Sequence, residues 1–143
     1  VLDNLHDVAG VRVICSFIDD IYKIAAILGA QDDVTVLEIK DYIKNPKPNG
    51  YRSYHMIVEI PVFFSDRKQP MKVEVQIRTI AMDFWASLEH KIYYKFEGNA
   101  PEYISHDLRE CAEIVTELDA KMLSLNEAIL KAKAEQREAL KEE

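Results

Sequence analysis

Cysteine is scarce. Cys15 and Cys111 are the only two, they lie far apart, and no CxxC pair occurs. That count and spacing argue against a disulfide framework, a zinc ribbon or a dithiol redox centre. Both are expected to be reduced core thiols of a cytoplasmic protein. Long apolar runs are missing too: none reaches the roughly 18 residues that cross a bilayer, so no membrane span is expected. The start shows no secretory signal pattern. Positive charge is in the minority, with a formal net charge of -7. Broad attraction to duplex nucleic acid is therefore not expected. No internal repeat or low-complexity linker breaks the chain.

What is present is ample for one soluble domain: 143 residues, 48% hydrophobic and 30% charged. That length supports a proper core but not two domains. Val1 is not a natural initiator, and LDNLHDVAG resembles the end of a helix entering a strand. Residues upstream of Val1 are expected.

GVRVICSF (10–17) is β-branched and strand-like, and Asp19 and Asp20 are suited to cap a helix running to Gly29. VTVLEIKDYI (34–43) and YHMIVEIPVFF (54–64) are two more strands, with Pro61 marking an edge or bulge. SDRKQP is a turn, and MKVEVQIRT (71–79) is a fourth strand. Thr79 caps a helix, IAMDFWASLEHKIYYKF, which FEGNAP ends, and Pro101 opens the last helix. The order β-α-β-β-β-α-α predicts an α+β domain: a mixed or antiparallel β-sheet flanked by helices, with a long C-terminal helix. Residues 1–100 are expected to form the sheet-bearing domain and 101–143 a helix for packing and oligomerisation.

The scarce positive charge is concentrated. Residues 45–55 read NPKPNGYRSYH. Pro46 and Pro48 stiffen this loop, and Asn49-Gly50 suits a sharp reversal. Stiffness lowers the entropy lost on holding a ligand. Lys47 and Arg52 can meet phosphate, and a tyrosine ring can stack on a base. A solvated hairpin tip would show much of the same composition.

In MKVEVQIRT, Met71, Val73, Val75 and Ile77 share one face, and Lys72, Glu74, Gln76 and Arg78 the other. An ordinary half-buried strand alternates in this way. A carboxylate, an amide and a guanidinium in a row can also hold a metal ion, a hydroxyl and a phosphate. Mg²⁺ takes one or two carboxylates plus phosphate and water, and Asp7 before the first strand is a possible second carboxylate beside Glu74. A turn or cap role explains Asp7 equally well from the residues alone. In the following helix Asp83 and His90 share a face with Glu89 beside it, while Phe84, Trp85 and Leu88 are expected in the core. His90 lacks partners at ligand spacing, which argues against zinc.

DVAGVRVIC (7–15), KPNGYRSYH (47–55), VEVQIRT (73–79) and AMDFWASLEHKIYYK (81–95) together resemble the synthetase domain of the RelA/SpoT (p)ppGpp synthetases. The spacing is similar to that of the single-domain small alarmone synthetases of the RelP/RelQ type, nearer RelP. The resemblance implies a nucleotidyltransferase-like sheet. It implies transfer of pyrophosphate from ATP to the 3′-hydroxyl of GDP or GTP, making ppGpp or pppGpp in the stringent response. Asp7 and Glu74 are then the Mg²⁺ carboxylates, and Glu74 also activates the hydroxyl. Arg12 packs on adenine, Tyr51 stacks on guanine, Lys47 and His55 contact the acceptor's phosphates, and Gln76 lies beside the metal. Lys40, Arg52 and Arg78 are further contacts. Asp83 stands where many RelQ-type members carry asparagine beside the guanine; a carboxylate accepts from N1–H and the exocyclic amine. A basic, glycine-containing segment upstream of Asp7 that helps hold ATP in the family is absent. That leaves a catalytically incomplete guanine-nucleotide-binding module, or an oligomeric interaction protein, as alternatives.

The last helix carries Ile104, Leu108, Cys111, Val115, Leu118, Met122, Leu125, Ile129 and Ala132 at alternating spacings of 4 and 3. This is an a/d seam of about four heptads. Part of its first half is expected to pack on this domain's own sheet or preceding helix, and its far half to overhang and join subunits through roughly residues 115–132. Resemblance to the family implies a homotetramer.

Overall fold

A computed structural model of the chain describes residues 9–142. Four strands and three helices follow the expected order: β1 (Ala9–Cys15), α1 (Ile18–Gly29), β2 (Thr35–Asp41), β3 (Tyr54–Phe63), β4 (Lys68–Thr79), α2 (Ile80–Lys95) and α3 (Glu102–Lys141). The sheet is mixed, in the order β1-β4-β3-β2. β2, β3 and β4 form an antiparallel meander, and β1 lies parallel to β4 at its edge.

Alternation along the strands assigns the two faces. Val73, Val75 and Ile77 of β4, with Met56 and Val58 of β3, are buried against Ile21 and Ala25 of α1. α1 is amphipathic and packs on this face, with Met82 of α2 and Ile43 in the same cluster, so the apolar surfaces exclude water together. The opposite face carries Glu74, Gln76, His55 and Lys40.

Several local expectations need correction. Asp19 and Asp20 do not cap α1: Phe17 occupies the N-cap without a side-chain bond, and the two aspartates lie in the first turn. There they still favour the positive end of the helix dipole. β4 begins at Lys68, which shortens the turn between β3 and β4. β3 is an inner strand, yet Pro61 lies beyond Glu59, the last residue paired with β2. Its missing N–H therefore leaves no β2 partner unpaired. Met71 is exposed despite its apolar phase, and so are Phe84 and Leu88; only Trp85 of that trio is buried. Cys15 is buried, whereas Cys111 is exposed.

Thr79 does cap α2, its hydroxyl accepting from the Met82 amide at 3.1 Å. α3 runs for 40 residues, about 60 Å at 1.5 Å per residue. Its inner face follows the predicted seam only in part: Ile104, Leu108 and Val115 pack on the domain. Leu108, Ala112 and Asp119 are its buried positions, so Ala112 and Asp119 stand in for the seam residues Cys111 and Leu118. The seam residues Leu118, Met122, Leu125 and Ile129 are exposed.

Candidate functional site

Strand register gathers the polar residues into a row. Arg12 of β1 lies opposite Gln76 of β4, Gln76 opposite His55 of β3, and His55 opposite Lys40 of β2. Cross-strand partners share a face, so four side chains from four strands cross the sheet side by side. Glu74 stands one step along β4 on the same face, and Arg78 one step the other way. The Gln76 amide donates to Glu74 Oε1 at 3.1 Å, and Arg78 Nη2 donates to Gln76 Oε1. Glu74 is thus oriented through a relay of neighbours while its side chain stays 38% exposed.

The basic loop closes over one end of this row. Asp41 Oδ1 accepts from the amides of Ile43 and Lys44, turning the chain out of β2. Gly50 N–H donates to Lys47 O at 2.8 Å, and Gly50 has φ +98, a conformation that favours glycine. Asn49 then accepts from the Tyr51 amide and donates to Glu89 of α2. The Tyr51 ring meets Tyr42 and His55 edge-on. Lys47 Nζ lies 5.1 Å from its centroid. The Tyr51 hydroxyl is 3.0 Å from His55 Nε2 and accepts from Arg78 at 3.4 Å.

Cations dominate this end: Lys40, Lys47 and Arg78 all press on His55. Burial holds the His55 imidazole below its ordinary value; Glu74, with Oε1 3.6 Å from Nδ1, pulls it up, and the three cations push it down. His55 is therefore neutral at neutral pH. Asp83, near the start of α2, faces both Arg12 and Arg78 at 3.5 Å. Arg78 Nε and Asp83 Oδ1 are buried without a hydrogen bond, so this corner holds polar capacity that a bound ligand can use.

Of the predicted site residues, Arg12, Lys40, Lys47, Tyr51, His55, Glu74, Gln76, Arg78 and Asp83 converge on this face. Arg52 does not: its guanidinium turns to α3 and donates to Thr116 at 2.8 Å. Asp7 lies outside the described residues. Tyr42 and Asp119 were missed by sequence reasoning, and Asn49 and Glu89 were noted without their contact to each other. The Asn49-Gly50 turn signal was visible, but its tie to Glu89 spans 40 positions and leaves no local pattern.

Among the described residues no cluster of three or more His, Cys, Asp or Glu is placed to hold a metal. Glu74 alone offers an accessible carboxylate beside an amide and open solvent. That donor set suits a hard cation that shares its shell with phosphate and water, and not a closed all-protein cage.

The region found in RelA and SpoT proteins matches residues 1–99. The chain belongs to the RelA/SpoT family. This RelA/SpoT domain is 53% identical over 127 residues to GTP pyrophosphokinase YwaC of Bacillus subtilis, covering 89% of this chain and 60% of that protein. It thus spans under two thirds of that relative's length. The crystal structure of small alarmone synthetase 2 from B. subtilis superposes with a TM-score of 0.83 at 48% identity, covering 89% of this chain and 74% of that one. Small alarmone synthetase 1 from the same organism, bound to its product pppGpp, gives a TM-score of 0.82 at 37% identity, over 90% of this chain and 68% of that one. The fold expected of a RelA/SpoT synthetase domain, a mixed sheet with a long C-terminal helix, is the fold observed. No helix among its described residues is long and apolar enough to cross a membrane.

Proposed function

We propose that this chain is a (p)ppGpp synthetase that transfers pyrophosphate from ATP to the 3′-hydroxyl of GDP or GTP. The observation that carries the reading is the four-strand row Arg12–Gln76–His55–Lys40, with Glu74 beside it and Tyr51 over its end. Such transfer asks mainly for positioning and charge neutralisation. Tyr51 offers a ring for guanine, and Lys47 and His55 lie where the acceptor's phosphates are read. Neutral His55 donates a hydrogen bond there without adding charge. Arg12, at the far end of the row and exposed, is the contact for adenine. Glu74 takes the proton of the attacking hydroxyl, and Gln76 holds its carboxylate in line. Mg²⁺, held by Glu74 and Asp7 together with substrate phosphates, supplies charge neutralisation when bound. Residues 1–100 carry this chemistry in a cytoplasmic setting consistent with two free cysteines.

The test is direct. Purified protein given ATP, Mg²⁺ and GDP or GTP should form the 3′-pyrophosphorylated nucleotide, resolved by anion-exchange chromatography. Guanine-nucleotide binding without turnover would instead support the binding-module alternative.

Tyr51→Ala should weaken GDP binding by about 1–3 kcal/mol, the scale of stacking a base on an aromatic ring. Tyr51→Phe should keep most of the affinity, since the ring remains and only the contacts to His55 and Arg78 go. Titration calorimetry decides, and equal loss in both variants would assign the effect to the hydroxyl.

α3 is proposed to assemble a homotetramer through its outer stripe. Leu118, Met122, Leu125 and Ile129 are 43–53% exposed on one face, an apolar strip that a second copy can cover. Leu118→Glu with Leu125→Glu should dissociate the assembly, because buried unpaired carboxylates are costly. Light scattering that finds a monomeric wild type would remove the claim.

A further inference from the structure

The inner face of α3 touches each piece of the acceptor side in turn. The Trp85 indole of α2 donates to Leu108 O at 2.8 Å. A Cβ on Gly50 would lie 2.7 Å from that of Ala112, so the loop's turn rests on α3 with no room between. Arg52 donates to Thr116, whose hydroxyl donates back to Ala112 O. One turn further, Asp119 accepts from Thr79 Oγ1 at 2.8 Å. Asp119 and Thr79 are 4% and 0% exposed.

A carboxylate buried in a helix-packing seam is an expensive way to fill space, because burial penalises its charge. An apolar side chain would pack there at less cost. The burial penalty does raise the Asp119 carboxyl above its ordinary range, with the Thr79 hydrogen bond and nearby Arg52 opposing the rise. Asp119 therefore serves a contact that only an acceptor can make. That contact is with a hydroxyl already occupied: Thr79 Oγ1 accepts from the Met82 amide while donating to Asp119. Donating one proton and accepting another fixes the rotamer of Thr79 and with it the first turn of α2. Asp83, which faces Arg12 and Arg78, sits in that turn.

We propose that Asp119 is a positioning residue for the acceptor nucleotide. Through Thr79 it sets the first turn of α2 and the place of Asp83. The inference rests on the reading of the polar sheet face as a nucleotide site. It assigns a role to a helix outside the matched region, which ends at residue 99.

The experiment compares Asp119→Ala, Asp119→Asn, Thr79→Val and Thr79→Ser with wild type, measuring KM for GDP and for ATP, kcat, direct GDP binding and the thermal midpoint. Asp119→Ala and Thr79→Val should each raise the GDP KM and Kd by about 10- to 100-fold, the scale of small misplacements at a site, with the ATP KM within about twofold. Asp119→Asn keeps an oxygen that accepts from Thr79, and Thr79→Ser keeps the hydroxyl, so both should hold GDP affinity close to wild type. The double variant Asp119→Ala with Thr79→Val should be no worse than either single change, as expected of residues acting as one unit. A lower thermal midpoint with unchanged GDP affinity would overturn the proposal and leave Asp119 a packing residue. Additive losses, or equal losses for ATP and GDP, would also overturn it. Should the Ala and Val variants fail to fold, weak GDP binding by a well-folded Asp119→Asn and Thr79→Ser pair overturns it as well. Wild-type protein that binds no guanine nucleotide would refute the functional reading itself, an outcome distinct from all of these.

Discussion

Replacing Glu74 with Gln is expected to reduce pyrophosphoryl transfer by at least about 10³-fold, combining the loss of a general base with the loss of a metal ligand. Glu74 lies on the open face of β4, so the change removes charge without opening a cavity. Gln76 can still donate to the new amide oxygen, and the relay from Arg78 through Gln76 keeps its geometry. The thermal midpoint should stay within a few degrees of wild type. GDP binding measured without Mg²⁺ should change little, because Tyr51, Lys47 and His55 are untouched. Single-turnover assays under saturating Mg²⁺ and both nucleotides give the answer. Near-normal turnover would remove Glu74 from the mechanism.

Gly50→Ala should damage the site by a different route. Gly50 has φ +98, where an L side chain is strained, at about 1–2 kcal/mol. The new methyl would also lie 2.7 Å from Ala112 Cβ, inside van der Waals contact. The loop must lift from α3 to relieve both, and Tyr51 and Lys47 move with it. GDP affinity is expected to fall by about 10- to 100-fold. Pairing the change with Ala112→Gly clears the clash but leaves the backbone strain, so affinity should recover in part. Calorimetry on the single and double variants separates the two causes. Wild-type affinity in Gly50→Ala would mean that the loop yields without carrying Tyr51 along.

The sheet was legible where alternation is strict. Val73, Val75 and Ile77 against Glu74, Gln76 and Arg78 announced one buried and one polar face, and Thr79 announced the start of α2. The meeting of Arg12, Gln76, His55 and Lys40 was not legible from the residues alone, because register between strands depends on pairings tens of positions apart. Resemblance to the family brought those residues together by motif before register did. Arg52 shows the limit of that transfer: next to Tyr51 in the basic loop, it turns to α3. The heptad seam held in part: Ile104, Leu108 and Val115 pack on this domain, while Ala112 takes the place of Cys111 and Asp119 that of Leu118. A strict 4-3 pattern describes two supercoiled helices, but the first half of α3 packs on its own domain. There Ala112 admits Gly50 and Asp119 binds Thr79, two choices that hydrophobicity cannot report.

The parallel pairing of β1 with β4 has a consequence for how the protein comes into being. Ala9 lies opposite Val73, some 64 positions later. β2, β3 and β4 can zip up as sequence neighbours, whereas β1 must close a much longer loop, at a larger entropic cost. A ribosome releases β1 first and its partner strand only after α1, β2 and β3. Val11 and Ile14, still 47% and 42% exposed in the finished fold, wait through that interval on a strand with no neighbour, the arrangement most open to pairing with another chain. Arg12 lies between them, so the β1 end of the row is the last part of the site to be built.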